Sequence, residues 1–284
     1  MITITNNILT AKFSEIGAEL KGLSDGKNDY IWPGDDIFWR GSCPVLFPIC
    51  SGLINDTYRL GNKEYHIPKH GFARNMEFVA ESVEQDAVTF LLVDTPETFE
   101  QFPYRFEFRI TYKLSGKRLV IRYDIRNRDG EEMYFSVGGH EGYFCPEGIE
   151  QYDLLLPEKQ TLVSTVLTGP NTLGYEQLTV TEDSDVLPLN YKYFAVDALV
   201  FLNFKGDHVV LKNRDNGRAV KVSFDGFPYL LLWTKPNAPF ICIEPWCGIA
   251  DRDDSNGQFE TKQGICHINR GEVFVREHSI EVLD

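Results

Sequence analysis

Two polar residues interrupt apolar strand patterns in this chain, and together they have the chemistry of an acid–base pair. The segment VGGHEGYFCPEG, residues 137–148, places His140 between two glycines and an acidic residue at the end of an apolar run. The segment FICIEPW, residues 240–246, carries Glu244. Alternation puts Phe240, Cys242 and Glu244 on one face and Ile241 and Ile243 on the other, so a carboxyl falls where an apolar side chain belongs. Burying an uncompensated polar group costs about 2–7 kcal/mol, and a charge costs more. Pro245 has no N–H for a sheet ladder, so the strand is expected to stop, or to lie at an edge, beside Glu244. The carboxyl then sits in an apolar cup next to Trp246, where desolvation lifts its pKa towards the range a general base needs. The plainer alternative is that Glu244 pairs with a buried arginine or caps a backbone group.

In MYFSVGGH, alternation sets Tyr134, Ser136, Gly138 and His140 against Phe135, Val137 and Gly139. The glycines remove side chains beside the imidazole and are expected to open space for a group approaching the strand. Here too a plainer alternative stands, a histidine hydrogen-bonded at a sheet end. A third candidate is KHGFARNMEF, in which His70 and Arg74 lie in a loop and can both donate hydrogen bonds to hydroxyls.

These residues need a scaffold, and the chain reads as strands throughout. FRITYKL and LVIRYDI place Phe108, Ile110, Tyr112 and Leu114, then Leu119, Ile121, Tyr123 and Ile125, on single faces of a hairpin turned at SGKR. VVLKN and AVKVSF flank Asp215-Asn216-Gly217, a tight-turn signal. Further strands are expected at 87–93, 133–137, 152–156, 199–204, 229–234, 240–244, 264–268 and 272–282. The helical signal is thin: TPETFEQ, with Pro96 at its start, predicts a turn or so. No repeat, low-complexity tract or Ser/Gly linker divides the chain. Residues 1–284 are therefore expected to form one all-β unit, a large antiparallel β-sandwich with one concave face open as a cleft.

Bulk composition narrows the partners. With 284 residues, 43% of them hydrophobic, the chain can bury a sizeable core. A net charge of −14 repels phosphate backbones and anionic lipid, so neither nucleic acid nor membrane is expected as a partner. The N-terminus MITITNNILTAKF has no signal-peptide pattern, and no apolar run approaches the roughly 20 residues of a membrane helix. A cytoplasmic protein is expected, with Cys43, Cys50, Cys145, Cys242, Cys247 and Cys266 reduced. None forms a C-x-x-C pair, and His66, His208, His267 and His278 have no i,i+4 partner, so no metal site is expected. The charge runs at 251–254 and 182–185 read as solvated loops.

Five segments occur in an order and at distances that resemble the aldose 1-epimerases, the galactose mutarotases: CPVLFPIC (43–50), HGFAR (70–74), GGHEGYF (138–144), VDALVF (196–201) and CIEPWCGIAD (242–251). The likeness is closest to the bacterial branch called LacX-like and spans essentially the whole chain. It implies a galactose mutarotase-like supersandwich with an open sugar-binding cleft and a small-molecule sugar as substrate. It implies a general acid at His140, a general base at Glu244, and hydroxyl-binding roles for His70 and Asp197, with Arg74 fitting its motif. Trp246, by adjacency, is expected to pack near the sugar ring. The implied reaction, anomer exchange by ring opening and reclosure, needs two titratable groups on opposite sides of one ring and no cofactor. A non-catalytic sugar-binding protein and a hexose 6-phosphate mutarotase are the alternatives.

The chain departs from the family pattern twice. Relatives follow LFPI with a small residue and Gly-Arg-Leu, whereas here Cys50-Ser51-Gly52-Leu53 puts Gly52 in place of the arginine. That loss argues against a phosphorylated sugar. Glu141 stands where relatives carry Pro or Ser, and an acidic neighbour is expected to raise the pKa of His140.

Overall fold

The hairpin Phe106–Ser115/Arg118–Asn127 shows why this sequence builds layers. Its apolar positions, Phe106 to Leu114 on one arm and Leu119 to Ile125 on the other, are buried at every second residue, and the intervening charged residues face outward. Asp215-Asn216-Gly217 joins His208–Asn213 to Ala219–Ser223, and the Asn213 side chain accepts the N–H groups of Asp215 and Asn216. TPETFEQ forms the helix Pro96–Gln101, with Thr95 and Thr98 exchanging hydrogen bonds in a capping box.

The computed structural model describes residues 1–169 and 172–283. Among these, fifteen strands belong to one continuous antiparallel sheet. Its path starts at Val45–Leu46, Val137–Gly139, Phe240–Cys247, Tyr229–Trp233, Leu199–Phe201 and Tyr152–Thr168. It continues through the Asn-Gly hairpin to Val273–Leu283, Arg118–Asn127, Phe106–Ser115, Ala87–Val93 and Val79–Val83. The sheet folds back so that its ends face each other: Phe47 packs on Phe106 and Phe108 at centroid distances of 5.1 and 4.9 Å. A three-stranded sheet, Ile2–Thr5, Thr10–Phe13 and Leu20–Ser24, packs its Phe13 ring onto Phe90 and Tyr112, and Tyr112 donates to the Ala18 carbonyl at 2.9 Å. The result is a large antiparallel β-sandwich with an aromatic core. All six cysteines are free, five of them buried.

Three expectations are corrected. The strand holding Glu244 neither ends at Pro245 nor lies at an edge: Phe240–Cys247 is paired on both sides. Its ladder towards Val137–Phe144 skips only Gly139 and His140, opposite Pro245 and Glu244, so the missing N–H is absorbed as a local gap. The space left by the two glycines is already filled. A Cβ on Gly138 would lie 2.4 Å from the Trp246 ring, and one on Gly139 would lie 2.3 Å from the Glu141 carboxylate. Nor is Asp251 a solvated loop charge: it is 3% exposed, accepts the Ile54 N–H at 3.1 Å and pairs with buried Lys262 at 3.5 Å.

The two layers are tied by a polar contact beneath the cleft. Glu141 points into the core, and its Oε1 lies 3.0 Å from Nε2 of His278 on the strand Val273–Leu283 of the opposite layer, both side chains being buried. Removing one partner of such a pair strands the other in low dielectric. We expect Glu141→Ala to lower the free energy of unfolding by about 2–4 kcal/mol in urea titrations; an unchanged midpoint would show that the contact carries no stability.

Candidate active site

The strand register decides the site. Gly138 is paired with Trp246 and Glu141 with Ile243, so the residues between them align His140 against Glu244. Side chains directly opposite in an antiparallel pair emerge on the same face. Nε2 of His140 accordingly lies 3.4 Å from Oε2 of Glu244, with the side chains 12% and 2% exposed. The two groups stand side by side, not on opposite sides of a ring-sized gap as anticipated. That spacing still suits anomer chemistry, because the two oxygens that exchange protons are bonded to the same carbon.

Both groups open into a pocket of about 300 Å³, which also takes in His70, Arg74, Asp197 and Trp246. All six residues singled out from the sequence thus meet in one hollow. Trp246 is the most enclosed tryptophan there, 3% exposed, with its indole N–H donating to the Gly139 carbonyl at 3.0 Å. The half-buried rings of Trp39 and Trp233 lie 5.1 and 5.7 Å from the His140 ring and present more open aromatic surface. Sequence reading missed both, and Lys69 as well. Trp233 had a usable signal: on the strand Tyr229–Trp233 it shares a face with Leu231, which pairs with Glu244. Trp39 lies outside any strand, so no alternation pointed to it.

Backbone contacts build the HGFAR loop. Ser51 and His70 both adopt left-handed φ, 61° and 68°, and face each other. The His70 N–H donates to the Ser51 carbonyl at 2.9 Å, and the Ser51 N–H donates to His70 Nδ1 at 3.1 Å. Phe72 and Ala73 both donate to the Phe47 carbonyl at 3.1 Å, and Gly71 sits so close that a Cβ there would be 2.3 Å from the same oxygen. With Nδ1 accepting, the neutral ring carries its proton on Nε2, so His70 is a hydrogen-bond donor. Burial holds the His70 pKa well below its ordinary value, and nearby His140, Lys69 and Arg74 push the same way.

Electrostatics make the central pair complementary. Burial drives the Glu244 carboxyl well above its ordinary range, opposed by the Lys69 charge and reinforced by Glu141 and Asp197. Burial also pushes His140 down to about 3, with Lys69 and Arg74 acting in the same sense. Burial thus disfavours charge on both groups, and the proton sits more readily on Glu244 than on His140. Glu141 does not act on His140 as expected, because alternation turns its carboxylate to the other face, onto His278. Asp197 is half-buried, and its Oδ1 accepts the Ala198 N–H at 2.8 Å. Arg74 donates through Nη2 to the Lys69 carbonyl at 3.0 Å, while its buried Nε has no hydrogen-bond partner among the described residues. The ring nitrogen of His140, Cys242 Sγ and a Glu244 oxygen lie within 4.8 Å of one another, a spacing that a metal ion could bridge.

Comparisons with known proteins place the chain in a family. The family model described as aldose 1-epimerase matches residues 1–273. Two LacX proteins of Lactococcus lactis subsp. lactis, one chromosomal and one plasmid-borne, are each 32% identical to this chain, covering all of it and 99% of their own length. A galactose mutarotase related enzyme from Lactobacillus acidophilus superposes with a TM-score of 0.94 at 33% identity, covering 100% of this chain and 97% of its own. A galactose mutarotase-like protein from Lactobacillus casei gives a TM-score of 0.95 at 28% identity over the full length of both chains. Matched by one family model over nearly its whole length and by relatives along all of it, the chain belongs to the aldose 1-epimerase family.

Proposed function

We propose that this protein interconverts the α and β anomers of a free aldose by ring opening and reclosure. The observation that carries the reading is the imidazole–carboxyl pair, 3.4 Å apart on the cleft face of the sheet. Glu244 takes the proton of the C1 hydroxyl while His140 protonates the ring oxygen, and the C1–O5 bond breaks to give the open-chain aldehyde. Rotation about C1–C2 turns the other face of the carbonyl towards O5. Reclosure runs the two proton transfers in reverse, so the pair ends with the one proton it began with. The directions of the two shifts favour that proton on Glu244 over His140. The Lys69 charge favours the ionised Glu244 that a base needs and also opposes charge on His140, so the protonated imidazole depends on the carboxylate 3.4 Å away. His70 and Asp197 are assigned to sugar hydroxyls, and Trp39, Trp233 and Trp246 to the faces and edges of the ring. Every step is a proton transfer, the opening or closing of the C1–O5 bond, or a bond rotation, and no metal or other cofactor is assigned a role.

One observation favours a second reading. Lys69 and Arg74 line the pocket, and burial costs each of them some of its affinity for a proton. An anionic substituent would relieve that cost, which returns a sugar phosphate to consideration despite Gly52. Comparing anomerisation rates on glucose and glucose 6-phosphate decides between the two.

The main test is proton NMR or polarimetry of freshly dissolved α-glucose or α-galactose. Glu244→Gln and His140→Asn should each lose about 10²–10⁴-fold in turnover; full activity in both would remove the assignment. Stability should move the other way in one of them. At pH 7 the carboxyl of Glu244 ionises freely in the unfolded chain but resists ionisation when folded, so it lowers stability above its ordinary pKa of about 4.3. Glu244→Gln removes that cost, and its melting temperature should exceed the wild type's at pH 8. A lower one would contradict the raised pKa.

Two further measurements bear on the proton count. Double protonation needs pH values well below the ordinary histidine pKa of about 6.5. The rate should therefore stay level from pH 7 to about 5.5 and fall only in stronger acid, whereas an acid limb centred near 6.5 would mean an unperturbed imidazole. Incubation with a chelator should leave the rate unchanged. Loss of activity that zinc restores would instead assign a metal to His140, Cys242 and Glu244.

A further inference from the structure

Two thiols meet where the strand that carries Glu244 ends. Cys247 closes Phe240–Cys247 opposite Val137, and Gly248, at a φ of 126°, turns the chain away from that ladder. The short strand Cys266–Ile268 pairs with Met133–Phe135, and there Cys266 stands opposite Phe135. The two cysteines thus face positions two residues apart on one continuous segment. Sγ of Cys266 lies 3.9 Å from the Cys247 carbonyl oxygen, Sγ of Cys247 lies 3.9 Å from that of Gly226, and the two thiols are hydrogen-bonded to each other. All six cysteines are free, and Cys266 is the one that is not buried.

The pair is asymmetric. The hydrogen bond from Cys247 holds the Cys266 thiol below its ordinary pKa against the effect of burial, and the Arg276 charge helps; the same contact, with burial, raises Cys247. A partly exposed thiol that ionises readily, with a second thiol touching it, is the arrangement in which an oxidised sulfur is captured as a disulfide. The surroundings carry the event to the cleft. A Cβ on Gly248 would lie 2.1 Å from Ser136 Oγ, so the chain after Cys247 has no slack against the segment that leads to His140. The residue before Cys247 is Trp246, whose ring abuts Gly138 and whose indole N–H holds the Gly139 carbonyl. Drawing Cys247 towards Cys266 pulls on the contacts that align His140 with Glu244.

We propose that Cys247 and Cys266 form a reversible dithiol–disulfide site through which a hydroperoxide slows the cleft. The Cys266 thiolate attacks one oxygen of hydrogen peroxide, the O–O bond breaks, and the departing hydroxide takes up the thiol proton as water, leaving a sulfenic acid. Sγ of Cys247 then attacks that sulfur, the S–O bond breaks, and its oxygen leaves with the second thiol proton as water. Two thiols lose two electrons and one peroxide becomes two waters. The effect on turnover rests on the anomerase reading above; the disulfide does not. The test treats reduced wild type, Cys266→Ser, Cys247→Ser and Cys50→Ser with hydrogen peroxide, alkylates the remaining thiols and maps the peptides by mass spectrometry. We expect a Cys247–Cys266 linkage in wild type and Cys50→Ser that dithiothreitol reverses, none in the other two, and a Cys266 sulfenic acid trapped by dimedone in Cys247→Ser. Turnover of α-glucose should fall about fivefold or more on oxidation, recover on reduction, and stay within about twofold in peroxide-treated Cys266→Ser. No linkage in wild type, or a linkage to Cys50 instead, overturns the site, and a linkage with unchanged turnover overturns its hold on the cleft. Should Cys247→Ser fail to fold, wild type and Cys266→Ser still decide. Should the reduced protein turn over no sugar, the anomerase reading falls by itself and tryptophan fluorescence reads the cleft instead: a shift on oxidation that Cys266→Ser lacks supports the coupling, and an unchanged spectrum overturns it.

Discussion

The antiparallel register between residues 137–144 and the strand Phe240–Cys247 fixes everything the cleft can do. Side chains along a strand alternate between faces, so His140 rises into the cleft while Glu141, the next residue, descends into the core. A slip of one position would exchange them, burying the imidazole and exposing the carboxylate. The segment is short and broken by a gap at Gly139 and His140, so its own ladder holds it weakly. Three contacts reinforce the alignment: the Glu141–His278 contact with the opposite layer, the Trp246 indole bound to the Gly139 carbonyl, and the tight fit of Gly138 against the Trp246 ring. The glycines next to His140 thus serve packing, letting a tryptophan and a carboxylate come within contact of the backbone.

Burial of the acid–base pair has opposite consequences for chemistry and for folding. A carboxyl in water would be fully ionised at neutral pH and weak as a base; desolvation raises its affinity for a proton and brings proton exchange with a hydroxyl group closer to balance. The same desolvation is a cost to the folded state that a larger core must offset. The aromatic packing of Phe47, Phe72, Phe102, Phe106 and Phe108 belongs to the buried core and none of these rings lines the pocket, so it can supply that stability without narrowing it.

Much of the architecture was legible because it obeys period two. The two long hairpins, the Asn-Gly turn and the capped turn at Thr95 all follow from local pattern, and Glu244 stood out because it broke one. Less legible were features set by distant partners. The arm Thr172–Pro188 carries TEDSD and is largely exposed, so nothing apolar marked it as a strand; it exists because Tyr152–Thr168 offers it an edge. Asp251 looked solvated because its partner, Lys262, is reached only through the fold. Pro245 looked like a strand end because its tolerated gap depends on what stands opposite. Of the site, the polar groups with motif-like neighbours were found, while Trp39, Trp233 and Lys69 were not, since ordinary residues become functional only by position.

The motifs that pointed to the family act mostly on backbone. HGFAR donates main-chain hydrogen bonds to the carbonyls of Phe47 and Ser51, and it reaches into the pocket through Arg74 and through the ring of His70, whose tautomer the Ser51 N–H selects. Gly52 fits this arrangement without supplying charge: its carbonyl accepts the Asp251 N–H at 3.0 Å, tying the loop to the segment that follows Trp246. The positive charge that an arginine would bring there comes instead from Lys69 and Arg74, on the other side of the same loop contact. Lys69, His70 and Arg74 thus ride on one stitched unit, separate from the strand pair that holds His140 and Glu244, so the charge of the pocket can vary while the register of that pair is kept.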